Sequence, residues 1–115
     1  MTAEEKLQSE CVEWGRNTYQ CLRFFGIVHI PNGGKRNVVE AIKLRSMGVV
    51  AGFPDLIITP PDGKVFYIEM KDGEKEQSEE QIKCQIWMKE RGIGYYLIKT
   101  REEFEKLINE KMAIS

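Results

Sequence analysis

Asp55 opens the apolar run Leu56-Ile57-Ile58, and the triplet Glu69-Met70-Lys71 closes a second one, Val65-Phe66-Tyr67-Ile68. A strand that reads as buried core should not finish in charge, because an unpaired buried charge costs several kcal/mol or shifts its pKa until it is neutral. Either the triplet lies at an exposed sheet edge or its chemistry requires the position. Between the two runs stands Pro60-Pro61-Asp62-Gly63-Lys64, the composition of a short hairpin loop. If Thr59 pairs with Val65, antiparallel register sets Ile57 opposite Tyr67 and Asp55 opposite Glu69. Directly opposed residues have Cβ atoms about 4.5–5.5 Å apart. Lys71, two residues beyond Glu69, projects from the same face.

Two carboxylates that close repel each other unless a cation sits between them, and hard oxygen ligands suit Mg²⁺ or Mn²⁺. A lysine beside them can orient a water, deprotonate it when neutral, or when charged stabilise charge developing on a phosphate. The plainer reading is a surface salt bridge on an edge strand. A two- or four-residue loop would shift the register and undo the construction.

The elements that must position these groups follow from periodicity and punctuation. Leu7, Cys11, Trp14, Thr18 and Cys21 recur at three- and four-residue steps, one stripe of a helix. Residues 24–34 read as a strand entering an Asn-Gly-Gly turn, and 37–48 as a helix stopped by Gly48. After the hairpin, Ser78 and Gln81 stand at capping-box spacing and open a helix that runs to Gly92. Residues 94–100 form a last strand and 101–113 a last amphipathic helix. The predicted order is α-β-α-β-β-α-β-α, an α/β class with a mixed sheet flanked by helices.

The frame is that of one soluble domain over residues 1–115. The chain has 42% hydrophobic and 30% charged residues. Its apolar runs are too short for a membrane span, and the polar start MTAEEKLQ does not read as a signal peptide. Three widely spaced cysteines and a single histidine suit reduced thiols in a cytoplasmic setting and argue against a zinc site. With a net charge of −1, any nucleic-acid contact must come from a local cluster such as Gly33-Gly34-Lys35-Arg36-Asn37.

Pro54-Asp55 followed by Glu69-X-Lys71 resembles the PD-(D/E)XK nuclease signature. With HIPNGGKRN (29–37), KLRSMGVVAGFPDL (43–56), IEMKDG (68–73) and SEEQ (78–81), the chain resembles the stand-alone VRR-NUC, or virus-type replication-repair nuclease, family. The resemblance implies a restriction-endonuclease-like fold and metal-dependent hydrolysis of DNA phosphodiesters. It further implies a homodimer acting on branched DNA such as four-way (Holliday) junctions, in a phage or bacterial repair setting. A nuclease of flap or nick preference and a non-catalytic DNA-binding module are the alternatives.

That family also carries an acid early in its first helix, with Gln four residues on and Trp six after that, matched here by Glu4, Gln8 and Trp14. At 100° per residue, Glu4 lies about 50° from the centre of the apolar stripe and Glu10 about 70°, while Glu5 and Glu13 fall on the far side. Both arguments choose Glu4, with Glu10 in reserve. The expected ligands are therefore Glu4, Asp55, Glu69 and the Met70 carbonyl, with Lys71 acting on the water. Gln81 either returns to the backbone of Ser78 or, as the resemblance implies, reaches the Glu69–Lys71 end of the site. Asn32, Gly33, Gly34, Lys35 and Arg36 are expected to contact DNA phosphates, since bare backbone followed by two cations suits an anion. Gly48 and Gly52 are read as packing residues, His29 as structural or DNA-facing, and Phe24, Phe25, Trp87, Tyr95 and Tyr96 as core.

Overall fold

The computed structural model describes residues 1–32 and 37–113. Helix α1 (Ala3–Thr18) begins at Thr2, whose hydroxyl accepts from the Glu5 backbone N–H while the Glu5 carboxylate accepts from that of Thr2. These bonds hold the Glu5 carboxyl below its usual range. This reciprocal cap satisfies two of the donors every helix start leaves free, and it occupies Glu5 while leaving Glu4 available. The helix ends at Thr18, three residues short of the last position in the apolar stripe. A 3₁₀ turn (Gln20–Leu22) follows, so Leu22 is buried while Cys21 is exposed.

Four strands, β1 (Ile27–His29), β2 (Leu56–Ile58), β3 (Phe66–Met70) and β4 (Gly94–Ile98), form one sheet in the order β1-β2-β3-β4. The first three are antiparallel, and β3 and β4 run parallel through the crossover helix α3 (Glu79–Glu90). Ile57 lies opposite Tyr67 and Leu56 opposite Ile68, the register that the five-residue loop requires. Continued by one residue, it sets Asp55 against Glu69. On one face Leu56, Ile58, Phe66, Ile68 and Met70 meet Cys11 of α1 and Phe104 and Ile108 of α4 (Arg101–Ala113). Trp14 stands edge-on to Phe104 with ring centroids 6.2 Å apart, fastening α1 to α4. The opposite face carries Tyr67, edge-on to Phe53 with ring centroids 5.5 Å apart, and Glu69, which meets Gln81 of α3. Glu69 thus ends the central part of the sheet, covered on both sides, and its residue is only 1% exposed.

Gly52, at φ +84°, lies against the first turn of α3, where a Cβ would come within 2.5 Å of the Glu80 carbonyl carbon. This close approach presses the segment leading to Asp55 onto the helix that carries Gln81. Gly48 has no such neighbour; its φ of +104° fits the turn after α2 (Val38–Ser46), and a packing role is not what it has.

The aromatic assignments also need correction. Tyr95 is buried and Tyr96 packs against the core, but Trp87 is half exposed, and Phe24 and Phe25 project into solvent from the turn before β1. The strand expected from residue 24 begins only at Ile27, because the 3₁₀ turn and Gly26 use the preceding residues to reverse the chain.

Candidate metal centre

Asp55 lies one residue before β2, so its side chain takes the place of a ladder partner: Oδ2 accepts from the Met70 backbone N–H at 2.7 Å. Its own carbonyl accepts from the Ile30 N–H at 2.7 Å, fixing it to the end of β1 as well. Glu69 points to the same end of the sheet from β3. Glu4, from the first turn of α1, completes a group in which one carboxylate oxygen from each residue lies within 4.8 Å of the others. Glu4 and Asp55 are half-buried, whereas Glu5, Glu10 and Glu13 are exposed and stand outside the group.

Gln81 takes both of the positions open to it. Its Oε1 accepts from the Ser78 N–H at 2.7 Å, closing the capping box, while its Nε2 donates to Glu69 Oε2 at 3.0 Å. The other oxygen, Glu69 Oε1, is buried without a hydrogen-bond partner among the described residues. Burial, then the adjacent Asp55 carboxylate, raise the Glu69 pKa from 4.5 to about 9, against the pull of Lys71. Glu4 adds to the rise. In the absence of a cation, Glu69 therefore holds a proton at neutral pH. A buried carboxyl oxygen with no donor, facing two further carboxylates, fits a hard divalent cation.

Lys71 is half-buried, its backbone N–H tied to the Ile98 carbonyl at 2.9 Å. Its ammonium makes no hydrogen bond or ion pair among the described residues, which leaves it available beside Glu69. Met70 turns its side chain into the opposite core.

A cleft of about 500 Å³ opens over Glu4 and Asp55 and is also lined by Gln8, His29 and Pro31. His29 Nδ1 lies 3.0 Å from the Asp55 carbonyl and 2.9 Å from the Gln8 amide nitrogen. If Nδ1 donates to the carbonyl, the Gln8 amide must present its oxygen instead, since two donors cannot share one contact. The sequence signal for this pair was weak: a lone histidine at a strand end and a glutamine one turn beyond an acid. Asn32 does not point toward the cluster; its side-chain nitrogen donates to the Val50 carbonyl and ties the segment after β1 to the loop after α2. Gly33, Gly34, Lys35 and Arg36 lie outside the described residues.

Residues 1–102 match the family model described as VRR-NUC domain. A solved structure described as a VRR_NUC domain protein is similar across all of this chain and 92% of its own, with a TM-score of 0.74 at 24% identity, a likeness of fold. No curated protein sequence gives a significant match.

Proposed function

The chain belongs to the VRR-NUC domain family, and from that premise we propose that it is a Mg²⁺- or Mn²⁺-dependent endonuclease that cuts branched DNA. The family gives it a nuclease-type, DNA-processing function, and nucleases of this domain type generally use divalent metals. The observation that carries the finer reading is the convergence of Glu4, Asp55 and Glu69 near the Lys71 ammonium, which has no partner among the described residues.

In this reading Glu4, Asp55 and Glu69 hold the cation, with the Met70 carbonyl as a further ligand. When bound, it supplies Lewis-acid stabilisation of charge on the scissile phosphate. Glu69 would hold the cation as the carboxylate, its proton released to solvent, and Gln81 would keep that carboxylate aimed. Lys71 orients the attacking water as a hydrogen-bond donor, and its charge stabilises the phosphate as negative charge builds there. The Met70 N–H holds Asp55 in place against the repulsion of its neighbours. Gly33 to Arg36, next in sequence to the Asn32 held by the Val50 carbonyl, supply phosphate contacts.

A homodimer acting on four-way junctions is the second part of the reading. No residue of α2 is buried, and Val38, Val39 and Ile42 are all more than half exposed on it. That much unpaired apolar surface on one helix favours a second copy of the chain. A two-fold dimer matches the symmetry of a junction with one site per nicked strand. The resemblance to replication-repair nucleases favours the cytoplasm of a bacterial or phage-infected cell as the setting. No helix among the described residues is long and apolar enough to cross a membrane.

The test is cleavage of labelled four-way junction, flap and linear duplex with and without Mg²⁺ or Mn²⁺, beside light scattering for mass. Glu69→Ala and Lys71→Ala should each abolish cutting while melting near the parent without metal. Wild-type turnover in either variant would remove the mechanism. A monomer that cuts flaps but leaves junctions whole would defeat the resolvase reading and keep the metal nuclease. Tight DNA binding without cutting would mark a non-catalytic module.

A further inference from the structure

Phe24 and Phe25 are 78% and 87% exposed, side by side at the tip of the turn before β1. The turn beneath them is firmly seated. Gly26 is buried so tightly that a Cβ would lie 2.5 Å from the Leu22 Cα, and Leu22 itself is wholly buried. Two large rings are thus held outward on a rigid base, an arrangement that folding alone does not call for.

Their neighbours are cationic. Arg23, immediately before the pair, donates through Nε to the Arg16 carbonyl at 3.3 Å. Arg16 donates to the Ile27 carbonyl at 2.9 Å, and its Nε is buried without a partner among the described residues. From Arg16 a groove of about 480 Å³ runs past Asn17, Glu13 and Ser9 to Gln8 and His29, so Glu13 offsets part of the positive charge along it. Gln8 and His29 also line the cleft over Glu4 and Asp55, so the two depressions join there. Phe25 and His29 are four residues apart, at most about 13 Å along an extended chain. That is about four base steps at 3.4 Å each.

We propose that Phe24 and Phe25 form a stacking platform for unpaired bases of the substrate DNA, reached through this groove from the acidic cluster. The proposal rests on the nuclease reading and adds where the strand goes and what part of a branch is recognised. Aromatic faces accept any base, because every base has a face to stack. The two arginines supply cations for the phosphates of the same strand. These flanking charges and the continuity with the acidic cleft favour a polyanion over a second protein surface.

The experiment uses a flap and a four-way junction carrying 2-aminopurine at the unpaired or branch position, mixed with the full chain in buffer lacking divalent cations. Phe24→Ser/Phe25→Ser and Phe24→Leu/Phe25→Leu are compared with the parent, the leucine pair keeping apolar bulk but losing the ring faces. The parent should change the 2-aminopurine emission, and both double variants should lose that change. With metal, kcat/KM on branched DNA relative to that on bis(p-nitrophenyl) phosphate should fall about tenfold in both. A leucine pair equal to the parent in emission and in this ratio would overturn stacking. So would a serine pair that turns a dimer into a monomer by light scattering, which would assign the rings to protein contact. If the parent hydrolyses neither substrate, the nuclease reading fails, while the emission still decides whether the rings stack on bases.

Discussion

One amide side chain, that of Gln81, spans two structures: its oxygen closes the start of α3 at Ser78 and its nitrogen holds Glu69 Oε2 at 3.0 Å. The orientation of a sheet carboxylate is thereby tied to the first turn of a helix. Gln81→Ala should lose both contacts, lowering stability by about 1 kcal/mol as a lost cap does, and lowering turnover as well. Gln81→Glu keeps an acceptor for the Ser78 N–H but adds a negative charge beside Glu69. It should melt close to the parent with metal present yet cut poorly. Paired melts and turnover check this; equal turnover in all three proteins would confine Gln81 to capping.

Glu69 makes metal-free stability depend on pH in an unusual direction. The unfolded chain loses this proton near pH 4.5, while the folded chain keeps it to about 9. Between those values the native state binds more protons, so stability should fall as pH rises through the window. Melts from pH 5 to 9 without divalent cation should show the fall, and Glu69→Gln should flatten it. Cation affinity should climb over the same range, since binding must displace the proton. A parent and a Glu69→Gln variant with superimposable pH profiles would contradict this.

Glu4 and Glu10 differ in reach. Glu4→Gln should weaken Mn²⁺ binding at least tenfold in a calorimetric titration, because it removes one of three converging carboxylates. Glu10→Gln, at an exposed position, should change it little. Loss of binding in Glu10→Gln alone would reverse the assignment.

Gly52→Ala should destabilise the fold by about 1–3 kcal/mol, from the left-handed backbone and the contact with Glu80 together. Activity should drop further than stability explains, as Asp55 follows three residues later. A melt within about 0.5 kcal/mol of the parent would show that the neighbouring backbone yields freely.

The hairpin was legible because two apolar runs and a five-residue loop leave one register that buries both runs, and that register opposes Asp55 to Glu69. Glu4 was legible because helical phase separates it from Glu5 and Glu13. The Thr2–Glu5 spacing was a capping-box signal that would have fixed the start of α1 directly. Gln81 left two readings open, since spacing cannot say that one amide serves both. Phe24 and Phe25 were misread because apolar composition carries no direction. Their exposure follows from a 3₁₀ turn and from the room missing around Gly26, neither visible in a hydrophobic pattern. The two depressions meet at Gln8 and His29 because α1 packs against β1, bringing together residues 21 positions apart.

The edge-on contact of Trp14 with Phe104 bears on when the molecule becomes competent. Asp55 and Glu69 are brought together by a hairpin, a local event with little chain to close. Glu4 is 51 positions from Asp55, and α1 is steadied by α4, whose sequence follows every other element. During synthesis the two sheet carboxylates can therefore meet early, while the third waits for α4 to emerge and dock. A chain still on the ribosome would carry a half-built cation site, and cutting power would arrive only with the closing of the fold.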